Sequence, residues 1–145
     1  MATDPSWHDV LAIRAVLDRY ASGIDRRDWD LFASCFTEDV VADYGRNGRY
    51  DNRNSFVLAF DEMHRPPVGR TLHRITNHDI TVTGDTAHAV SYFDAMLEAE
   101  HKGFQFLHAI GTYTDELRRG DDGWRISRRV TETVMFRRER DKFLD

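Results

Sequence analysis

Phe104-Gln-Phe-Leu-His-Ala-Ile-Gly-Thr-Tyr-Thr-Asp-Glu-Leu-Arg118, the turn Gly120-Asp-Asp-Gly123 and Trp124-Arg-Ile-Ser-Arg-Arg-Val-Thr-Glu-Thr-Val-Met-Phe-Arg137 read as two long strands folded back on each other. β-Branched and aromatic residues dominate both runs, and a polar turn bounded by glycines separates them, which suits an antiparallel hairpin. The same pattern extends upstream. Strands are expected over residues 71–82 and 86–98, joined at Gly84-Asp85, and the segment His101-Lys102-Gly103 leads into the 104–118 strand.

Ahead of residue 71 the period changes. Val10, Ile13, Val16/Leu17, Tyr20 and Ile24 recur at steps of three and four, one face of a helix over residues 6–23, with Ser6 as cap and Gly23 as stop. A short second helix follows, capped by Asp28, with Trp29, Leu31, Phe32, Cys35 and Phe36 on its buried side. A brief strand over 40–44 ends at Gly45. A third helix over 52–64 turns Phe56, Val57, Phe60 and Met63 inward, and Pro66-Pro67 closes it. Helices followed by consecutive hairpins give an α+β fold of one domain, residues 1–145: three helices on a curved mixed or antiparallel sheet, a cone-shaped α+β barrel. A sheet that curves over helices leaves a concave face, and a ligand would bind there.

The 145 residues carry a net charge of −5, with 41% hydrophobic and 31% charged residues. Lys and Arg are dispersed among Asp and Glu, which argues against nucleic acid or an anionic membrane as partner. The cluster Arg137-Arg138-Glu139-Arg140 reads as a solvated tail. The single cysteine, Cys35, sits among apolar neighbours and reads as core rather than nucleophile. The first residues lack the basic-then-apolar layout of a signal peptide, and no apolar run approaches the ~20 residues that span a bilayer, so the expected location is cytoplasmic.

No Gly-rich phosphate loop, Gly-x-Ser-x-Gly elbow or His-Glu-x-x-His motif is present. The seven histidines show no ligand spacing. His73 and His78, five apart on one strand, face opposite sides unless a bulge intervenes, so no metal or other cofactor is expected. What stands out is polar residues where apolar ones would fit: Tyr20 on the inward helical stripe, Asp25 just beyond it, Tyr44 at the end of the first strand, and His73 opening a strand.

Several segments together resemble a known family. Ile13-Arg-Ala-Val-Leu-Asp-Arg-Tyr20 through Asp25-Arg-Arg-Asp-Trp-Asp30, Phe36-Thr-Glu-Asp-Val40 through Tyr44, Gly111-Thr-Tyr-Thr-Asp-Glu116 and Asp122-Gly-Trp-Arg-Ile126 are similar to the SnoaL-like branch of the nuclear transport factor 2-like superfamily. Within it the chain resembles the dehydratase-type enzymes, among them bile acid 7α-dehydratases, scytalone dehydratases and hexachlorocyclohexane dehydrochlorinases. The resemblance places their Asp–His pair on Asp25 and His73, and the two tyrosines of the bile acid pattern on Tyr20 and Tyr44. It departs elsewhere. Asp94 lies about two residues from the expected second acid, and Glu132 or Thr133 stands where relatives have an arginine on the last strand.

The resemblance implies a hydro-lyase without cofactor. A carboxylate fixes the histidine tautomer, the free ring nitrogen removes a proton next to a carbonyl, and a tyrosine donates to the oxygen that gains charge. The implied ligand is a small hydrophobic molecule, a cyclic hydroxy-ketone or hydroxy-thioester of steroid or polyketide type. Tyr113, Leu107, Ala109 and Gly111 share one strand face and are expected to line its pocket, with Asp94 and Glu132 as possible second acids. Three alternatives remain open. One is a ketosteroid-type isomerase with a carboxylate base such as Asp94. Another is a non-catalytic binding or subunit module. A limonene-type epoxide hydrolase is the third, for which no Asp-Arg-Asp set is evident. Members of the family assemble as dimers or trimers through the sheet, and a homo-oligomer is expected here.

Overall fold

The structure, a computed structural model, describes residues 7–101 and 104–140, so the Ser6 cap and the turn residues Lys102 and Gly103 lie outside the described residues. Three helices, α1 (Trp7–Arg26), α2 (Trp29–Ser34) and α3 (Arg53–Met63), pack on a six-stranded sheet. The strands are β1 (Phe36–Asp43), β2 (Arg49–Tyr50), β3 (Val68–Thr83), β4 (Thr86–His101), β5 (Phe104–Gly120) and β6 (Gly123–Glu139). Their order is β2-β1-β6-β5-β4-β3. All pairings are antiparallel except β1 with β6, which is parallel. The sheet is therefore mixed and not closed, and the helices cover its concave face.

Helix α1 runs three residues beyond the expected stop at Gly23. That glycine is a packing site: a Cβ there would lie 2.8 Å from the backbone nitrogen of Phe32, so its absence lets α2 approach α1. Asp28 caps α2 by accepting from the Leu31 N–H at 3.0 Å, and Asn52 caps α3 by accepting from Ser55 at 2.8 Å. β1 begins at Phe36, four residues earlier than expected, because Cys35 already ends α2. Tyr44 lies just past β1 and opens a single 3-10 turn, Gly45–Asn47. β6 continues through Arg137 to Glu139, so the basic cluster is mostly strand rather than tail.

Ile13, Leu17, Tyr20, Ile24, Phe32, Phe36, Phe56, Leu117 and Ile126 form the buried centre. Phe32, Phe36, Phe56 and Phe60 pack ring to ring there at 4.7–5.3 Å. Cys35 is buried, and burial pushes its thiol up, as fits a core residue. Met63 is 38% exposed rather than inward. No described helix is long and apolar enough to cross a membrane.

Candidate active site

Asp25 is the penultimate residue of α1, where the helix end meets β3. Its Oδ1 accepts from His73 Nδ1 at 2.7 Å and from Thr71 Oγ1 at 3.0 Å, and its Oδ2 accepts from the His73 backbone N–H at 2.9 Å. The side chains are 8% exposed for His73 and 17% for Asp25. Burial pushes the Asp25 carboxyl up, but the hydrogen bonds from the His73 ring, its backbone and Thr71, with the His73 charge, leave it below the ordinary carboxyl range. A carboxylate only accepts, so the neutral imidazole carries its proton on Nδ1 and keeps a lone pair on Nε2. A carboxylate at a helix C-terminus is disfavoured by the helix dipole, and here donors from the neighbouring strand hold it.

Tyr20, Tyr44 and Tyr113 form a second cluster. Tyr20 Oη lies 2.9 Å from Tyr44 Oη and 3.2 Å from Tyr113 Oη. Three hydroxyl protons share two contacts, so one proton is left to donate outside the cluster. Tyr44, 9% exposed against 1% for Tyr20 and 3% for Tyr113, is the member nearest solvent. Burial raises all three phenols, so they stay protonated and able to donate.

Behind them stands Arg129, fully buried, and this residue corrects the sequence reading. An arginine does reach the inner face of the last strand, at Arg129 rather than at the Glu132 or Thr133 position. Its guanidinium lies 4.2 Å from the Tyr20 ring centre and 4.0 Å from that of Tyr113. Its Nε and Nη2 each donate to the Asp115 carboxylate at 2.7 Å. Among the described residues, Nη1, like the buried hydroxyls of Ser91 and Thr131, has no hydrogen-bond partner. Asp115 and Arg129 are cross-strand partners, and alternation from Tyr113 would have turned Asp115 inward.

The residues expected to line a pocket divide. Ala95 sits level with His73 and Ala109, and Leu97 with Leu107, so Leu107 and Ala109 share the His73 face and are half-buried. Gly111 cannot touch a ligand through open space. A Cβ there would lie 2.0 Å from the Glu132 carbonyl oxygen and 2.8 Å from the Phe93 ring, which itself stacks on Tyr113 at 4.7 Å. Asp94 and Glu132 face away. Since Ala95 pairs with His73, Asp94 must point to the opposite face, where it binds Arg74 at 2.8 Å and His108 at 2.7 Å. Glu132 pairs with Thr112 and is exposed on that outer face.

A bulge does intervene between His73 and His78: the register shifts between Thr76 and Asp79, with Asn77 at φ 53°. It brings His78 under α1, beside Arg14 and Asp18. No group of three or more His, Cys, Asp or Glu among the described residues is arranged to hold a metal.

A family model of the SnoaL-like domain matches residues 5–130. The chain belongs to the SnoaL-like domain family. This SnoaL-like chain is 34% identical over 131 residues to an uncharacterised protein of Mycobacterium tuberculosis (strain ATCC 25618 / H37Rv), covering 90% of the chain and 88% of that protein. A scytalone-dehydratase-like protein of Novosphingobium aromaticivorans has the same fold, with a TM-score of 0.82 at 21% identity over 90% of this chain and 87% of that one. So does a hexachlorocyclohexane dehydrochlorinase of Novosphingobium barchaimii, with a TM-score of 0.78 at 22% identity over 92% and 94%. At these identities the structural likeness speaks for the SnoaL-like fold alone.

Proposed function

We propose that the chain is a cofactor-independent lyase that removes water from a small hydrophobic cyclic substrate carrying a carbonyl and a β-hydroxyl. The observation that carries this reading is the His73–Asp25 pair at 2.7 Å, which leaves Nε2 free as a base on the sheet face that also bears the tyrosine cluster. His73 takes the proton next to the carbonyl, and the C–H electron pair passes into an enolate whose oxygen accepts from a tyrosine hydroxyl. The enolate then collapses to a carbon–carbon double bond as the β C–O bond breaks. The departing oxygen takes a proton from the imidazolium or a tyrosine and leaves as water. Asp25 orients His73 and stabilises its charged form. Tyr44, nearest solvent, is the donor that meets the substrate, with Tyr20 and Tyr113 behind it.

The names of the dehydratase- and dehydrochlorinase-type neighbours describe eliminations, which supports this chemistry over others on the same fold. Asp94, one carboxylate named as base for a ketosteroid-type isomerase, is engaged with Arg74 and His108 on the outer face, which favours His73 as the base. Leu72, Tyr92 and Met135, exposed on the outer sheet face, suit assembly into a homo-oligomer, a dimer or trimer measurable by light scattering. Product mass tests the reaction. Hydroxy-ketones and hydroxy-thioesters of steroid or polyketide type are screened for loss of water, unchanged mass with a moved double bond pointing to isomerisation instead. His73→Ala is expected to abolish turnover on the substrate found. Full turnover in that variant would refute the mechanism.

A further inference from the structure

The Asp25 carboxylate is held from behind by a chain of donors that none of the chemistry above uses. Arg27, immediately past α1 and in a left-handed conformation at φ 57°, folds its side chain back across the helix end. Its Nη1 donates to the Ile24 carbonyl at 2.6 Å and to Thr71 Oγ1 at 2.9 Å. Nη2 donates to the Gly69 carbonyl at 2.5 Å, and Nε to the His64 carbonyl at 3.3 Å. One side chain thus ties together the ends of α1 and α3 and the start of β3, the three segments that meet around the dyad.

The direction of these bonds is fixed by chemistry. A guanidinium has only donors, so Thr71 Oγ1 must accept from Arg27. A hydroxyl has one proton, and with Arg27 occupying an oxygen lone pair, the Thr71 proton is turned to its other close neighbour, Asp25 Oδ1 at 3.0 Å. Asp25 Oδ1 then receives two donors, Thr71 and the His73 ring, and Oδ2 receives the His73 backbone. From these contacts we infer that Arg27 and Thr71 are positioning residues of the dyad: Arg27 aims the Thr71 hydroxyl, and Thr71 holds the carboxylate ionised and oriented toward His73. The inference rests on the proposed role of the dyad. Other charged or titratable groups facing this corner are His73 from β3, His64 from the end of α3 and, beside Gly69, Glu98 of β4 paired with Arg70.

The test needs no substrate. Nitrogen–proton correlation spectra of the ligand-free protein report the His73 tautomer, and carbon NMR follows the Asp25 carboxyl through acid. The wild-type protein is expected to show the Nδ1–H tautomer. Thr71→Val keeps the shape and removes the hydroxyl, and it is expected to raise the Asp25 midpoint by about one pH unit, a tenfold change in its ionisation. Thr71→Ser is expected to restore the wild-type midpoint. Arg27→Lys, which cannot make all the contacts of the fork, should move the midpoint in the same direction and serves if Thr71→Val does not fold. A wild-type His73 in the Nε2–H tautomer would overturn the dyad reading itself. The expected tautomer with an unmoved Asp25 midpoint in both Thr71→Val and Arg27→Lys would overturn this inference and leave the dyad intact.

Discussion

Substituting Asp115 by Asn should be among the most damaging single changes in this protein. Asp115 and Arg129 are both fully buried and joined by two 2.7 Å hydrogen bonds. Asn keeps the volume but removes the charge, leaving the guanidinium uncompensated where it is fully shielded from solvent. Breaking such a pair from one side costs about 3–5 kcal/mol, a large share of the ~5–15 kcal/mol that holds a domain of this size folded. At ~2–4 °C per kcal/mol the midpoint of thermal unfolding falls by roughly 6–20 °C. Replacing both partners, Asp115→Leu with Arg129→Met, removes the orphan charge and should recover most of the loss. Recovery stops short of full because the stacking of Arg129 on Tyr20 and Tyr113 disappears, worth up to about 2 kcal/mol when desolvated. Urea unfolding followed by tryptophan fluorescence measures all three variants. If Asp115→Asn stays within about 1 kcal/mol of the parent, or the double variant is no more stable than the single, the reasoning is refuted.

His64 is buried with Nδ1 bonded to the Phe60 carbonyl at 2.7 Å, and burial lowers its pKa to about 4. The unfolded chain therefore binds a proton that the native one refuses as pH falls from ~6.5 toward 4, so stability drops on acidification by up to about 3 kcal/mol. His64→Gln should flatten that slope in unfolding measured between those pH values, and an unchanged slope would contradict it. Gly111→Ala has no room for its methyl against the Glu132 carbonyl and should cost about 1–3 kcal/mol in denaturant unfolding. Tyr44→Phe should lower kcat about a hundredfold on a verified substrate with little change in KM. A raised KM with unchanged kcat would make Tyr44 a binding contact only.

The helical half of the fold was legible because its signals are local. The stripe from Ile13 to Ile24 and the cap Asp28 need only the 3.6-residue period and one hydrogen bond. The Asp25–His73 pair came from the family pattern rather than from spacing, since 48 residues separate them. Strand faces were less legible because the alternation slips. At the β5–β6 pairing, Glu116 is level with Arg128 but Leu117 with Ile126, so Ser127 is an extra residue and Arg129 swings inward. Val134 is a second such residue. Strict alternation from Ile126 would have put Arg129 on the outside, which is why it was missed. Asp94 was misplaced for a related reason: only the register of β3 against β4 reveals that Ala95 is the neighbour of His73. Gly23 was read as a helix stop because a close helix–helix approach leaves the same mark in sequence as a helix end.

The parallel pairing of β1 with β6 joins residues near 41 to residues near 128. When β1 leaves the ribosome, the strand it must pair with has not yet been made, and the β3–β4 and β4–β5 hairpins lie between them. The helices can form early, yet they have no finished sheet to cover until β6 inserts between β1 and β5. Such distant pairings slow folding, because the loop must close before the contact stabilises anything. Until then the apolar side of the helical layer and a bare edge of β1 stand open to other chains. The last described strand therefore completes the whole domain in one event, and a chain cut short before Gly123 should aggregate rather than fold in part.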